Sequence, residues 1–330
     1  PARLSADYSP DFLPVAEHFT LRGVVGAMLL VAVVSGAVAA RRHAPAVTFG
    51  AAWVGGTLFI VANVLWPTEV LLAERTLYVP SIGATMALGA LFGLAYVRRT
   101  RMVTVVIGLV VLLGFGRTVS RVPIWRDNQT FFPQLVRDAP GSFRSLWVEG
   151  ALSYQAGDSA TGERLIKRAI EVYPLHPSVW TDLAAQMENE RRWREAAVYY
   201  HTAFKLDSTR IESAAFALAN YLRAGLIDSA ASVAARAWEV APRHPVVLVA
   251  RSDLAMAQGR PLEAMTLRRQ VAPRVPSAWE HWYLTARAAI AAGYCPEARR
   301  SLERLRELRP DHAEFPDLER GAEAAGCAPL

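Results

Sequence analysis

Two kinds of hydrophobic pattern divide the chain near Pro140. Ahead of it, four segments carry no charge over about the length a bilayer core demands, roughly 20 residues at 1.5 Å rise. They are Gly23–Ala40, Val47–Trp66, Val79–Val97 and Met102–Gly116, the last short enough that Arg117 has to snorkel. The pattern predicts four transmembrane helices, at 23–40, 47–66, 79–97 and 102–119, between an outside loop over 1–22 and a linker over 120–142. Beyond Pro140, charges recur every few residues within amphipathic patterns, which predicts a soluble helical half. The expected fold class is all-α.

The punctuation of the second half is periodic. Pro140, Pro174, Pro242, Pro276 and Pro310 are separated by 34 residues or its double, with Ser208 in the vacant slot. Ala196, Ala230, Ala264 and Ala298 keep the same beat, as do Gly157, Gly225, Gly259 and Gly293. Such a unit reads as two antiparallel helices: the small residues permit close approach, Gly permits the tight turn and Pro closes the second helix. Five units run over about 143–176, 177–210, 211–244, 245–278 and 279–312. Pro140 keeps the phase too, so "DNQTFFPQLVRDAP" predicts a lone second helix, bent at Pro133, that joins the last span to the array. Within 313–330, "EFPDLERGAEAAG" predicts a capping helix over the exposed end. The pattern resembles the tetratricopeptide repeat, which repeat two displays in Trp180, Leu183, Ala184, Ala196, Tyr200 and Ala203. The resemblance implies an α-solenoid.

Charge follows the same division. The 330 residues carry a formal net charge of +6. Lys+Arg outnumber Asp+Glu by 12 to 7 before Pro140 and by 24 to 23 from there on, so nearly all of the excess lies in the apolar half. A basic balance of that origin reads as membrane topology, not as nucleic-acid binding. Arg41, Arg42 and His43 join the first two segments, and Arg98, Arg99 and Arg101 the last two. The positive-inside rule puts both connections in the cytoplasm, with Pro67–Tyr78 and both ends outside. Trp66, Tyr78 and Tyr96 then fall at the interfaces. The expectation is a multi-pass protein of the inner membrane with its repeats in the periplasm, or in the endoplasmic reticulum lumen of a eukaryote. All basic residues except Lys167 and Lys205 are arginine, a skew expected of a GC-rich bacterial genome. The chain begins "PARLSADYSPDF", with neither initiator Met nor signal peptide, and reads as a fragment starting inside a larger protein.

Cysteine and histidine add little chemistry. Cys295 and Cys327 lack metal-site spacing and leave two readings open, one bridge tying the tail to the last repeat or two unpaired thiols. His176, His244 and His312 recur at the same slot of inter-repeat turns, in "PLHP", "PRHP" and "PDHA". Stacked repeats hold such residues too far apart for one ion, whose ligands lie about 2 Å from it, so no metal site is expected.

The stretch "LLAERTLYVPSIG", Leu71 to Gly83, sets Glu74 beside Arg75 where an outside loop enters an apolar segment. A charge near hydrocarbon is costly and tends to be paired or functional, and Arg offers a fork of donors suited to phosphate oxygens. The plain alternative is an interfacial ion pair anchoring a helix end. "AERTLYVPSIG", "LSADYSP" in an earlier outside loop, and repeats after the last span together resemble the transmembrane and tetratricopeptide repeat proteins. These are a family of protein O-mannosyltransferases with bacterial relatives in the C-type glycosyltransferase superfamily. The resemblance covers essentially the whole chain, as the C-terminal half of such an enzyme. It implies transfer of a sugar, mannose in that family, from a polyprenyl-phosphate donor to protein hydroxyls at the outer membrane face. Arg75 would bind the donor phosphate, Glu74 would orient it or the acceptor, and Tyr78 with Pro80 would shape the helix entry. The family's catalytic acids sit in a first outside loop, expected N-terminal to Pro1. Catalytic residues of this chain are therefore unknown, and Asp7 and Asp11 are no substitute. No cofactor is expected in the fragment, and a divalent metal requirement is left open. Trp125 and Arg126, with Asp127, lie just past the final span as candidates for contact with headgroups or carrier phosphate, or as a plain interfacial anchor.

By analogy with the repeat family, the first helix of each unit lines a concave face. That face would include Trp147, Tyr154, Gln155, Glu188, Asn189, Arg223, Asp253, Tyr283 and Arg287. Aromatics mixed with both signs of charge suit an extended polypeptide better than a polyanion. An acceptor or partner protein held there would gain effective concentration near the membrane. The competing reading is a non-enzymatic, membrane-anchored scaffold for protein–protein interaction.

Overall fold

The computed structural model describes residues 20–61 and 74–327. Among the described residues every regular element is helical and no strand occurs. The chain divides into two compact units, one ending at Pro174 and the other beginning at Leu175.

The first unit opens with α1 (Leu21–Ala40), α2 (Pro45–Val61) and α3 (Tyr78–Arg121). Thr20 caps α1 by accepting from the Gly23 amide at 3.1 Å, and Thr48 Oγ1 of α2 donates to the Ala37 carbonyl at 2.7 Å. Gly23–Ala40, Tyr78–Val97 and Arg99–Trp125 are long and apolar enough to cross a membrane, whereas Pro45–Ile60 is apolar but shorter. The last five residues of the expected second span, 62–66, lie outside the described residues, as does the loop string "LSADYSP". The sequence predicts a cationic loop over Arg98–Arg101; the structure has instead a single non-helical residue, Arg99, at φ −147° and ψ 58°. Thr85, Leu88, Phe92 and Tyr96 before it and Ile107, Val110 and Val111 after it line one apolar groove. On a straight helix Thr85 and Val111 would be about 39 Å apart at 1.5 Å per residue, so the chain doubles back at Arg99.

Past α3, a 3-10 turn at Val122–Trp125 leads into α4 (Asn128–Asp138), which runs through Pro133 as one helix. Asp127 caps it, accepting from the Thr130 amide at 2.9 Å. Arg121 at the end of α3 pairs with Asp138 at the end of α4 at 3.0 Å, both largely buried, and Gln134 donates to the same carboxylate at 2.7 Å. The apolar arm and the first solenoid helix are thus joined by charge as well as by chain. Next come α5 (Phe143–Gln155) and α6 (Ser159–Val172).

The second unit holds four further pairs: α7 (Pro177–Asn189) with α8 (Trp193–Leu206), α9 (Ile211–Arg223) with α10 (Ile227–Val240), α11 (Pro245–Ala257) with α12 (Pro261–Val271), and α13 (Trp279–Ala291) with α14 (Cys295–Leu308). First helices, α5 included, start 34 residues apart, and so do second helices. Connections of three residues inside a pair force antiparallel packing. Ala196, Ala230, Ala264 and Ala298 are wholly buried where the two helices of a pair approach. In the first pair the same slot is Gly162, against whose Cα the Tyr154 ring packs so closely that a Cβ would lie 2.6 Å from it. α12 stops early: Pro273 lies in a 3-10 turn, Ala272–Arg274, where the other second helices continue.

A final helix, α15 (Phe315–Ala324), buries Phe315, Leu318 and Ala322 against the last pair. Of the two readings left open by the sequence, the structure takes the bridge: Cys295 and Cys327 form a disulfide with Cα atoms 5.1 Å apart. It ties the chain three residues past α15 to the start of α14.

Candidate functional site

Within the second unit the first helices lie side by side, and Glu188, at the C-terminal end of α7, is where they meet. Its carboxylate pairs with Arg223 at the corresponding end of α9 and accepts from the Tyr200 hydroxyl at 3.2 Å. Burial, then the Glu188 charge, pushes the Tyr200 phenol well above the ordinary tyrosine range, so it stays a donor. The Arg223 guanidinium also lies 5.1 Å over the Trp193 ring. Tyr200 in turn stacks on Phe216 of α9 with centroids 5.2 Å apart. Phe216 is 47% exposed although its neighbours Ala214, Ala217 and Leu218 are core. Asn189 is exposed beside this cluster.

Farther along, Asp253 of α11 pairs with Arg268 of α12, which is 2% exposed. Burial pushes the Asp253 carboxyl up while Arg268 pulls it back down. At the far end Tyr283 of α13 donates to Glu314 and lies under the Arg287 guanidinium at 5.7 Å. The His312 ring lies between those of Trp279 and Tyr283, tilted to both, with centroids 5.0 Å from each. His176 and His244 stand at the N-terminal caps of α7 and α11.

The expected face residues of the first unit sit differently. Trp147 is half-buried with its ring 5.7 Å from Phe143, Tyr154 covers Gly162, and Gln155 is exposed. The backbone of Glu74 and Arg75 opens a 3-10 turn, Glu74–Leu77, immediately before α3; the side chains of both lie outside the described residues. Tyr78, the first residue of α3, is 74% exposed. Trp53 Nε1 of α2 donates to the Val79 carbonyl at 3.0 Å, which pins this helix entry. Trp125 is exposed with its ring 4.9 Å from Phe131, and Arg126 pairs with Asp127 at 3.2 Å. Thr130, through its amide and hydroxyl, and then Arg126 hold the Asp127 carboxyl below the usual carboxylate range.

Phe216, Trp193 and Arg268 are absent from the residues chosen by sequence. Comparison slot by slot would have found two of them. Asp182, Ala250 and Leu284 occupy the place of Phe216 in the other pairs of the second unit, and Ile166, Tyr200, Ala234 and Leu302 that of Arg268.

No family model matches the chain, and no curated protein does. Among solved structures it is similar to PilF of Pseudomonas aeruginosa, with 14% identity over 65% of this chain and 94% of that one, at a TM-score of 0.48. PilW, described as a type IV pilus biogenesis factor, has 14% identity over 62% of this chain and 95% of its own, at 0.48. YrrB, described as a TPR protein with an unusual peptide-binding site, has 12% identity over 57% of this chain and 97% of its own, also at 0.48.

Proposed function

We propose that the chain is a membrane-tethered scaffold whose second unit holds an extended polypeptide along α7, α9, α11 and α13. The observation that carries this reading is Phe216, an aromatic ring kept half-exposed on a helix of otherwise buried neighbours by stacking on Tyr200. A preset apolar platform flanked by the Glu188–Arg223 pair suits an apolar side chain of a strand that also offers polar groups. The apolar helices supply the tether, as four spans with the repeats on the periplasmic side. The Cys295–Cys327 disulfide supports that oxidising compartment. Screening the full chain in detergent against peptides tiled from exported proteins tests the reading: Phe216→Ala is expected to weaken the best binders about tenfold, the effect of losing a central anchor. Undiminished binding by both Phe216→Ala and Arg223→Ala would reject this face.

A finer reading makes the scaffold part of an enzyme: the C-terminal portion of a glycosyltransferase that moves a sugar, mannose by resemblance, from a polyprenyl-phosphate donor to hydroxyls of the bound protein. Its support is the "AERTLYVPSIG" string together with the pinned helix entry that places Glu74 and Arg75 at the start of an apolar helix. Arg75 would neutralise the phosphate leaving group. Acceptor glycosylation by Arg75→Ala at the wild-type rate would remove it from the chemistry and leave the scaffold.

A further inference from the structure

Around α12 and α13, polar residues gather at slots that other repeats fill with apolar ones. The slot of Arg268 is otherwise Ile166, Tyr200, Ala234 and Leu302. The slot of His281 is Val179, Ser213 and Val247 in the other pairs of the second unit, and that of Thr285 is Leu183, Ala217 and Arg251. Arg268, His281 and Thr285 are all buried. Arg268 has Asp253 as its ion-pair partner, while its Nε is buried with no hydrogen bond; the buried hydroxyls of Ser252 on α11 and Ser301 on α14 also lack one. Thr285 Oγ1 turns to its own helix, donating to the His281 carbonyl at 2.7 Å.

The break in polarity coincides with a break in packing. One apolar cluster extends from Ala184 to Leu254, and a separate one from Ala255 to Cys327. The divide falls within α11, next to Asp253; α12, whose Ala264 and Met265 belong to the later cluster, is the second helix that ends early, at Pro273. The disulfide lies wholly within the later cluster and does not cross the divide. In a solenoid whose stability is a sum of nearest-neighbour terms, one poor interface partitions the array into separate cooperative bodies.

From these coincidences we infer that the polar layer of Asp253, Arg268, His281 and Thr285 is a built-in joint: α13–α15 opens as one cooperative body while α8–α10 stay folded. A partner engaging the last pair would then meet a module able to release and reseat without loss of the remaining solenoid. The polar groups are what make the interface weak, because a buried charge with one partner keeps much of its desolvation cost.

Native-state hydrogen exchange on the full chain in detergent, with low denaturant, reads this directly. Amides of α13, α14 and α15 are expected to converge on one opening at least tenfold more frequent than that of α8–α10. The double variant Asp253→Ala/Arg268→Leu, which restores the apolar type of Leu302, should shrink the gap at least tenfold. Thr285→Leu, the residue of the Leu183 slot, is the milder variant, in case the double one does not fold, and should shrink it in the same direction. A single opening shared by α8–α15, or a gap unmoved in the folded variants as simple end-fraying would give, overturns the inference.

Discussion

Gly83 of α3 and Gly50 of α2 meet backbone to backbone: a Cβ built on Gly83 would lie 2.6 Å from the Gly50 carbonyl oxygen and 2.8 Å from Trp53 Cδ1. A carbonyl fixed in a helix cannot swing aside. In an apolar medium, where burial of hydrocarbon gives helices no reason to associate, such close approach of small residues supplies the packing.

Gly83→Ala is therefore expected to destabilise the apolar helices by about 1–3 kcal/mol, the usual range for overpacking. Gly89→Ala is the control, since nothing lies within 4 Å of its Cβ position. Thermal unfolding of the full chain in detergent should show a lower midpoint for Gly83→Ala alone. Equal midpoints would mean that α2 and α3 do not cross here.

Arg191 makes a second case. Its φ of 60° is the left-handed conformation that Gly157, Gly225, Gly259 and Gly293 adopt at the same slot. The turn is the same: the Arg191 amide donates to the Glu188 carbonyl at 2.9 Å and the Arg192 amide to that of Met187 at 2.8 Å. Holding a side-chain-bearing residue there costs about 1–2 kcal/mol. Glycine loses more backbone entropy on folding, by up to about 1 kcal/mol. Arg191→Gly should thus stabilise α7–α8 by up to about 1 kcal/mol, seen as a higher denaturant midpoint with unchanged slope. A lower midpoint would show that the Arg191 side chain contributes more than its backbone strain costs.

Much of this architecture could be read from the sequence because repeats amplify weak signals: a proline, an alanine and a glycine recurring in phase locate the helix pairs without any one being decisive. Arg191 is marked as left-handed only by the column of Gly157, Gly225, Gly259 and Gly293 in which it stands, and not by its own residue type. The Arg99 corner escaped because a cluster of arginines reads as a loop in any hydropathy pattern, and nothing in charge distinguishes a loop from a single kinked residue. Phe216 escaped for a different reason: exposure depends on which neighbour shields a ring, and Tyr200 comes from another helix. Pairings such as Glu188–Arg223 span 35 residues and are set by how adjacent repeats are stacked, which local pattern does not encode.

The disulfide gives a prediction confined to one end. α15 has 10 residues, fewer than an isolated helix needs to hold its shape in water. Apolar packing of Phe315 and Leu318, the Arg306–Glu319 pair and the bridge keep it docked. Reduction, or Cys327→Ser, should cost about 2–4 kcal/mol, felt first by the cap. Limited proteolysis would then cut after Arg309 or Arg320 far faster in the reduced chain. Identical cleavage with and without reductant would show that packing alone holds α15.

His281 links the buried polar layer to pH. Burial, and then the nearby Arg268 charge, lower its pKa to about 4 from the ordinary 6.5. The folded protein therefore resists a proton that the unfolded chain accepts below about pH 6.5. The stabilisation from neutral His281 is complete above that value and is lost as pH falls from about 6.5 toward 4, at up to about 1.4 kcal/mol per pH unit. Asp253 acts in the opposite sense, because a carboxyl raised by burial binds its proton more readily in the folded state. The two are separated by His281→Gln, which keeps a polar side chain but cannot titrate in this range. Hydrogen exchange of α13 at pH 6.5 and 5, corrected for intrinsic rate, should show increased opening at the lower pH in the wild type and little change in His281→Gln. If both chains respond equally, the acid sensitivity lies elsewhere and His281 is only a neutral filler of the layer.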